Sequence, residues 1–169
     1  MPPIYDPEAV QPMRDELINV GIESLESAEQ VDEILSRGGT ALIVINSVCG
    51  CAAGGARPGV TKALQHNRIP DHLGTVFAGM EQEAVAQARA KMVGIPPSSP
   101  CIALFQDGSP VFVMERSHIE QMDADMIAQA LKETFDQYCS RQGPSISPEE
   151  YAKLESFKAC GSSIPLFGG

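Results

Sequence analysis

The amino-acid sequence predicts an α/β fold in which parallel strands are completed by an antiparallel hairpin. Two observations lead to this prediction. Short apolar, β-branched runs alternate with segments of helical spacing, and the last two strands flank a turn at 107–110 that contains Asp, Gly and Pro. The order strand, helix, strand, helix, strand, strand, helix gives an α/β layer, and its first half requires a right-handed crossover. The 169 residues are enough for one domain, or for one domain with an appendage.

The first three elements follow from apolar spacing and from end signals. Residues 8–20 carry apolar side chains at helical spacing and are followed by a glycine, so they predict a helix. The segment 22–25 predicts a short edge strand. Ser27, with Gln30 three residues later, has the capping-box pattern and predicts a helix that ends at Arg37, before two glycines.

The central strand is predicted over 40–46, because this run is short, apolar and β-branched, as in strands that are buried on both faces. A helix is expected after the next cysteines, as far as about Asn67. Pro58 lies within that helix or at its true start, so we expect a kink or a late start there. The next strand and helix are predicted over 73–78 and 82–93.

The second half of the chain predicts a proline-rich loop, a hairpin and a long helix. Residues 94–100 contain three prolines, which remove backbone donors and fix φ, so this segment forms no regular element. Strands are predicted over 101–105 and 111–114, on either side of the turn. Residues 123–141 have the apolar spacing of an amphipathic helix.

The composition changes after this helix, where Gly, Pro and Ser become frequent. We therefore assign 1–142 to the main domain and 143–169 to a C-terminal extension, with a short helix over 147–159. One side of that helix is apolar and should be buried, either on the chain's own domain or on a second subunit in a homodimer. Its apolar residues are Tyr151, Leu154 and Phe157.

Two cysteines separated by one glycine, Cys49-Gly50-Cys51, stand between the central strand and the next helix. Unpaired N–H groups at a helix start stabilise a thiolate, and in such places the pKa of a cysteine falls from about 8.5 to roughly 3.5–7.5. Gly50 tolerates the backbone bend that a disulfide between neighbours two residues apart requires. The motif therefore indicates redox chemistry, although two small buried residues in a turn would give the same pattern.

Composition and charge exclude several other classes of protein. A formal charge of −10 disfavours nucleic acid and anionic membranes as partners. No run reaches the roughly 18 apolar residues of a membrane helix, and the first residues lack the basic start and apolar run of a secretory signal. We therefore expect a cytoplasmic protein, in which five cysteines are catalytic or metal-binding rather than a disulfide framework.

Several segments, in this order along the chain, resemble known proteins. The stretch from Ile95 through Pro100 to Gly108 is similar to the part of thioredoxin that runs from the cis-proline through a strand to a glycine turn. More narrowly, residues 4–140 resemble the bacilliredoxin family. The segments that carry this resemblance are Asn46–Gly54, Ala56–Gly59, Thr75–Gly79, Pro97–Pro100, Glu115-Arg116 and Ile119-Glu120.

The resemblance implies a thioredoxin-like fold and a glutaredoxin-like task, the removal of the small thiol bacillithiol from oxidised protein cysteines, with weak disulfide isomerase activity as a further possibility. It implies Cys49 as the attacking thiol and Cys51 as the resolving thiol, with no cofactor besides the small thiol as co-substrate. S-thiolated or oxidised proteins would be the partners. Pro100 would be a cis-proline facing the dithiol. The chain departs from the usual family length through the extension and its Cys160.

Substrate contacts are expected at four positions around the dithiol. Pro100 would expose a backbone edge on which a substrate chain pairs as an added strand, with Ser99 and Gly50 beside it. Arg57 is expected either to lower the pKa of Cys49 or to hold the carboxylate of a small thiol. The alternative for Arg57 is a solvated side chain at a helix start.

The remaining cysteines and histidines allow a different class of function. Cys49, Cys51, Cys101 and His66 are soft ligands that together would suit zinc, copper(I) or an iron–sulfur cluster, although no second close pair of cysteines is present. Otherwise we expect Cys101 to be a buried hydrophobe, Cys139 an exposed thiol without a role, and the histidines surface residues. A last alternative is an acidic adaptor whose thiols are inert.

Overall fold

The computed structural model of the protein describes residues 3–161, with side chains through residue 155. Its main sheet has five strands in the order β1, β4, β2, β5, β6. They are β1 (Glu23–Ser24), β2 (Thr40–Asn46), β4 (His72–Phe77), β5 (Cys101–Gln106) and β6 (Ser109–Met114). A separate ribbon pairs β3 (Arg68–Ile69) with β7 (Arg141–Gln142).

The sheet is mixed, as the sequence predicts. Both β1 and β2 run parallel to β4, whereas β5 is antiparallel to β2 and to β6. All seven residues of β2 are buried, which agrees with the prediction of a central strand covered on both faces. Val44 lies at the middle of this strand, opposite Thr75 of β4 and Ile102 of β5.

Helices cover both faces of the sheet. The helices are α1 (Pro7–Ile18), α2 (Ala28–Ser36), α3 (Arg57–Ala63), α4 (Gln82–Lys91), α5 (Arg116–Ile119), α6 (Ala124–Tyr138) and α7 (Pro148–Gly161). One core lies between the sheet and α1, α3 and α6, and a second core lies between the sheet and α2 and α4. No helix in the described part of the chain is long and apolar enough to cross a membrane.

Several helices begin where the sequence predicts, because a polar side chain caps the first turn. Ser27 Oγ accepts a hydrogen bond from the N–H of Gln30 at 3.2 Å, and Asp123 Oδ1 accepts one from the N–H of Met126 at 2.8 Å. The Gln30 side chain accepts from the N–H of Glu26 at 2.6 Å, one residue earlier than a capping box would have it.

Three short elements were not predicted, and several helices end earlier than predicted; the helix expected as far as about Asn67 ends at Ala63. The two-residue strands β3 and β7 and the four-residue helix α5 are too short to leave a periodic pattern. The long helix, predicted over 123–141, ends at Tyr138, because Arg141 and Gln142 turn away to pair with Ile69 and Arg68 in the ribbon.

Close contact between α3 and α6 depends on a glycine. A Cβ atom added at Gly59 would lie 2.6 Å from Cγ2 and 2.8 Å from Cβ of Ile127. No side chain larger than hydrogen fits there without movement of the branched core residue. The helix that follows the two cysteines is thereby held against α6.

The C-terminal segment lies on the chain's own core. The N–H groups of Gly143 and Ser145 donate to the carbonyl oxygens of Asn67 and Leu64, both at 2.9 Å. Ile146, Tyr151 and Leu154 then pack against the core beneath α3 and α6. The side chains of Phe157 and Cys160 lie outside the described residues, so the expected burial of Phe157 stays a prediction, as does the homodimer.

Candidate active site

The two candidate cysteines lie at the carboxyl end of β2, where the strand passes into a helix. The helix begins at Gly50, so Cys49 occupies its N-cap position, and Cys51 lies inside the first turn. The Cys49 carbonyl oxygen accepts hydrogen bonds from the N–H groups of Ala52 and Ala53, both at 3.1 Å. This placement agrees with the junction between strand and helix that the sequence predicts.

The first part of this helix is a π-helical turn, Ala52–Ala56, and α3 continues from Arg57. Pro58 stands in the first turn of α3, directly after the π-helical turn, so the residue that lacks an N–H coincides with the change of helical hydrogen-bond pattern. The sequence predicted a kink or late start at this proline, and the structure has the π-helical turn directly before it. Such turns are rare, and they occur frequently at functional sites.

The surroundings of Cys49 favour its thiolate. The side chain is half-buried, and desolvation by that burial raises the pKa of Cys49. A hydrogen bond from Ser47, hydrogen bonds from the backbone N–H groups of Ala52 and Cys51, and the positive charge of Arg116 lower it. The lowering contributions outweigh the burial, so the pKa of Cys49 lies below its ordinary value.

Cys51 is a free, half-buried thiol whose side chain packs against the core on the α3 side. Gly50 has open space around its α-carbon, since an added Cβ would meet no atom within 4 Å. The motif therefore presents one thiol in an environment that stabilises an anion and a second thiol nearby in a more apolar one. This asymmetry suits an attacking and a resolving sulfur.

A buried arginine fixes the loop that carries Cys49. Arg57 is only 3% exposed. Its Nη1 donates to the carbonyl oxygen of Ser47 at 2.6 Å and to Oδ1 of Asn46 at 3.1 Å, and its Nε donates to Glu16 of α1 at 3.0 Å. Asn46 Oδ1 also accepts from the N–H of Ser47 at 2.8 Å, so the end of β2 is held on both sides.

These contacts correct the prediction for Arg57. Its guanidinium is neither solvated nor free to receive a substrate carboxylate, because it is enclosed and bonded to Ser47, Asn46 and Glu16. The sequence predicted that Arg57 lies at a helix start, where a charged side chain is usually exposed. The structure turns this side chain back toward β2, and its contribution to the site is to position Ser47.

The proline-rich loop lies beside the cysteines at the same edge of the sheet. The register pairs Ile45 of β2 with Cys101 of β5, so Pro100 lies next to the end of β2. The Ser99–Pro100 peptide bond is cis. Pro100 is buried, whereas Ser99 is partly exposed. The loop therefore borders the segment that carries Cys49.

Arg116 is hydrogen-bonded to this loop, and its charge acts on the cysteines. The sequence alone predicted no role for it. Its Nη1 donates to the carbonyl oxygen of Ser99 at 3.2 Å, and its backbone N–H donates to Ser98 Oγ at 3.3 Å. Its charge acts on both Cys49 and Cys51. The pair Glu115-Arg116 was noted only within the family resemblance, and the short helix α5 that carries Arg116 gives no periodic signal.

The other two described cysteines belong to the core. Cys101 is 2% exposed, as predicted, and burial raises its pKa to about 11. The expectation of an exposed Cys139 was wrong: this residue is 5% exposed, and burial raises its pKa to about 11 as well. Cys139 directly follows α6, and its side chain belongs to the core that this helix covers. Of the four cysteines whose side chains the structure describes, Cys49 and Cys51 are therefore the ones accessible enough to act as nucleophiles.

A metal centre built from Cys49, Cys51, Cys101 and His66 does not assemble. His66 instead lies with Nε2 at 2.8 Å from Oδ1 of Asp136, on the face that carries α6. Among the side chains that the structure describes, no group of three or more His, Cys, Asp or Glu residues is placed to hold a metal ion.

Comparisons with known proteins identify the family of the chain. A family model described as disulphide isomerase matches residues 5–139. The chain is 53% identical to a bacilliredoxin of Cytophaga hutchinsonii over 134 residues, which cover 79% of this chain and 99% of that protein. It is 50% identical to a bacilliredoxin of Salinibacter ruber over 164 residues, 95% of each chain, so most of the predicted extension has a counterpart there.

The fold has a counterpart among solved structures. The oxidised thioredoxin of Plasmodium falciparum superimposes with a TM-score of 0.50 at 16% identity, covering 71% of this chain and 100% of that chain. This similarity shows a thioredoxin fold, as predicted. With the relatives above, it supports a thiol–disulfide oxidoreductase. The chain belongs to the bacilliredoxin family.

Proposed function

We propose that the protein reduces mixed disulfides between protein cysteines and a small thiol, with Cys49 as the attacking sulfur and Cys51 as the resolving sulfur. One observation carries this proposal: the Cys49 thiolate is stabilised by Ser47, by two backbone N–H groups and by Arg116, and a second free thiol follows two residues later. A nucleophilic thiolate with a resolving partner is what disulfide exchange requires.

The reaction has two exchange steps. The Cys49 thiolate attacks the small-thiol sulfur of the mixed disulfide. A bond forms between Cys49 and that sulfur, while the protein cysteine leaves as thiolate and takes a proton from water. Cys51, as thiolate, then attacks Cys49 and releases the small thiol. The substrate gains two electrons, and the two cysteines lose them as a disulfide.

The loop that ends at Pro100 is proposed as the surface on which a substrate chain lies. Ser99 is partly exposed beside the segment that carries Cys49, and an extended peptide there would be able to pair with its backbone as an added strand. The open space at Gly50 would allow close approach of the substrate. Bacillithiol is proposed as the small thiol because the relatives bear the name bacilliredoxin. No further cofactor is needed for the exchange.

Two single substitutions test the assignment of the sulfurs. We expect Cys49→Ser to abolish attack on a protein that carries bacillithiol or glutathione in mixed disulfide. We expect Cys51→Ser to trap the small thiol on Cys49. Mass spectrometry of the digested variants locates the adduct. Cys139→Ser is the matched control, since that thiol is buried and should leave the reaction unchanged. An adduct on Cys101 or Cys160 would show that another sulfur attacks first.

Disulfide isomerisation is a second candidate function, favoured by the description of the matching family model. A disulfide between residues two apart is strained and therefore easily reduced, so the corresponding dithiol is a weak general reductant. We therefore expect faster turnover on a mixed disulfide with a small thiol than on insulin. Recovery of activity from scrambled ribonuclease measures isomerisation directly. Faster reduction of insulin would instead indicate an ordinary thioredoxin.

A further inference from the structure

Arg116 is the cation of the site that a ligand is able to reach. Its side chain is 43% exposed, whereas Arg57, the other arginine near the cysteines, is 3% exposed and bonded on several sides. The sequence had placed the recognition of a small-thiol carboxylate on Arg57. Burial removes that residue from contact with ligands and leaves Arg116 as the candidate for the role.

Arg116 is held in place by contacts on both sides. Its Nη1 bonds the carbonyl oxygen of Ser99 at 3.2 Å, its backbone N–H bonds Ser98 Oγ at 3.3 Å, and its Nε bonds Glu120 Oε1 at 2.7 Å. A long side chain fixed in this way loses less conformational freedom when a ligand pairs with it than a freely moving arginine does. The guanidinium is therefore prepared for binding, although the Glu120 carboxylate neutralises part of its charge.

The positive charge of Arg116 acts on the reacting sulfurs, although the protein as a whole is acidic. It acts on both Cys49 and Cys51, in a chain with 22 acidic and 12 basic side chains. Charges farther than about 8 Å away are largely screened at physiological salt, so a ligand bound at Cys49 responds to the local cation more than to the net charge.

We infer that Arg116 makes the site selective for small thiols that carry a carboxylate. This inference rests on the proposed function, because it concerns the small-thiol half of the mixed disulfide that Cys49 attacks. The bond changes are those of the exchange already described, and Arg116 neither gains nor loses a proton. Its contribution is an ion pair with the carboxylate while the new bond forms between Cys49 and the small-thiol sulfur.

Three small disulfides of similar size and different charge test this selectivity. Dithiodipropionate is anionic, hydroxyethyl disulfide is neutral and cystamine is cationic. The second-order rate constant of the full-length reduced protein with each is measured and divided by the fraction of Cys49 thiolate. We expect the ratio of anionic to neutral rates to fall about two- to fivefold in Arg116→Gln, the range that an exposed ion pair provides. The ratio of cationic to neutral rates should rise.

Two further variants separate charge from structure. Arg116→Lys keeps the charge and should retain most of the anionic preference, even if the loss of the bond to Ser99 slows all three reactions together. Arg37→Gln is the matched control, since Arg37 is a partly exposed arginine at the end of α2, where it pairs with Glu23 and Glu33, and it should leave every ratio unchanged. An Arg116→Gln protein with the wild-type ratio overturns the inference but leaves the proposed function intact. Failure of Cys49 to react with any of the disulfides overturns the proposed function itself.

Discussion

The Nη1 atom of Arg116 donates a hydrogen bond to the carbonyl oxygen of Ser99 across 3.2 Å. This bond joins the proline-rich loop to a side chain whose charge also acts on the candidate nucleophile, Cys49. One arginine therefore contacts the surface proposed to hold the substrate chain and favours the thiolate proposed to attack it. Loss of this side chain should affect both properties.

We expect Arg116→Gln to raise the pKa of Cys49, because a nearby positive charge that favours the thiolate is removed. The measurement is a pH titration of thiolate ultraviolet absorbance in a protein that also carries Cys51→Ser and Cys160→Ser. Burial raises the pKa values of Cys101 and Cys139 to about 11, so these thiols ionise above the pH range in which Cys49 does. Arg37→Gln in the same background is the control. An unchanged pKa in Arg116→Gln would show that the charge does not reach the sulfur.

Ser47→Ala should also raise the pKa of Cys49. Desolvation by burial raises this pKa already in the native protein, and the Ser47 hydrogen bond is the first of the contributions that oppose it. Because fewer Cys49 thiols are then ionised near neutral pH, exchange with a neutral disulfide should slow there and recover as the pH rises. Ser36→Ala is a suitable control, since the Ser36 hydroxyl bonds the carbonyl of Glu33 within its own helix. Equal pH profiles for the two variants would contradict the assigned role of Ser47.

Arg57→Met should lower the free energy of unfolding by about 2–4 kcal/mol. The substitution leaves the Ser47 carbonyl without the Arg57 donor, removes one of the two donors to Asn46 Oδ1 and removes the partner of Glu16, which is itself 30% exposed. Urea unfolding measures the loss. Lys62→Met removes an exposed ion pair with Asp125 and should cost less than about 1 kcal/mol. Similar losses in both variants would mean that the contacts of Arg57 contribute little.

The different outcomes for Cys49 and Arg57 show what the sequence was able to predict. The position of Cys49 follows from two local patterns, a β-branched apolar run before it and a helix after it, and local patterns can be read without tertiary structure. The direction of Arg57 depends on a π-helical turn and on where α1 brings Glu16, residues that are distant in sequence. Its burial could not be predicted from a charged residue at a helix start.

The same distinction explains Arg116 and Cys139. Arg116 lies on a four-residue helix, and its importance comes from the hydrogen bond to Ser99, which is 17 residues earlier in the chain. Cys139 is at the end of a predicted helix, where exposure is common, but its side chain belongs to the core that α6 covers. Both contacts are tertiary, so neither had a sequence signal.

The last prediction concerns stability at alkaline pH. Burial raises the pKa of Cys139 from the ordinary 9.0 to about 11. Between these values the unfolded chain has lost this proton and the folded chain still holds it, so the unfolded state binds fewer protons. The free energy of unfolding therefore falls as the pH rises through this window, by up to about 1.4 kcal/mol per pH unit for one thiol. Below pH 9.0 the thiol is protonated in both states and contributes no slope.

We expect Cys139→Ala to make this alkaline loss less steep, whatever its effect on stability at neutral pH. Urea unfolding at several pH values between 9.0 and about 11 gives the slope for each protein. Cys49→Ala is the matched control: because the pKa of Cys49 is lowered, this thiol is ionised in both states above pH 9.0, and its removal should leave the slope unchanged. A slope in Cys139→Ala equal to that of the wild type would show that the folded chain releases this proton as readily as the unfolded one, against the burial of the side chain.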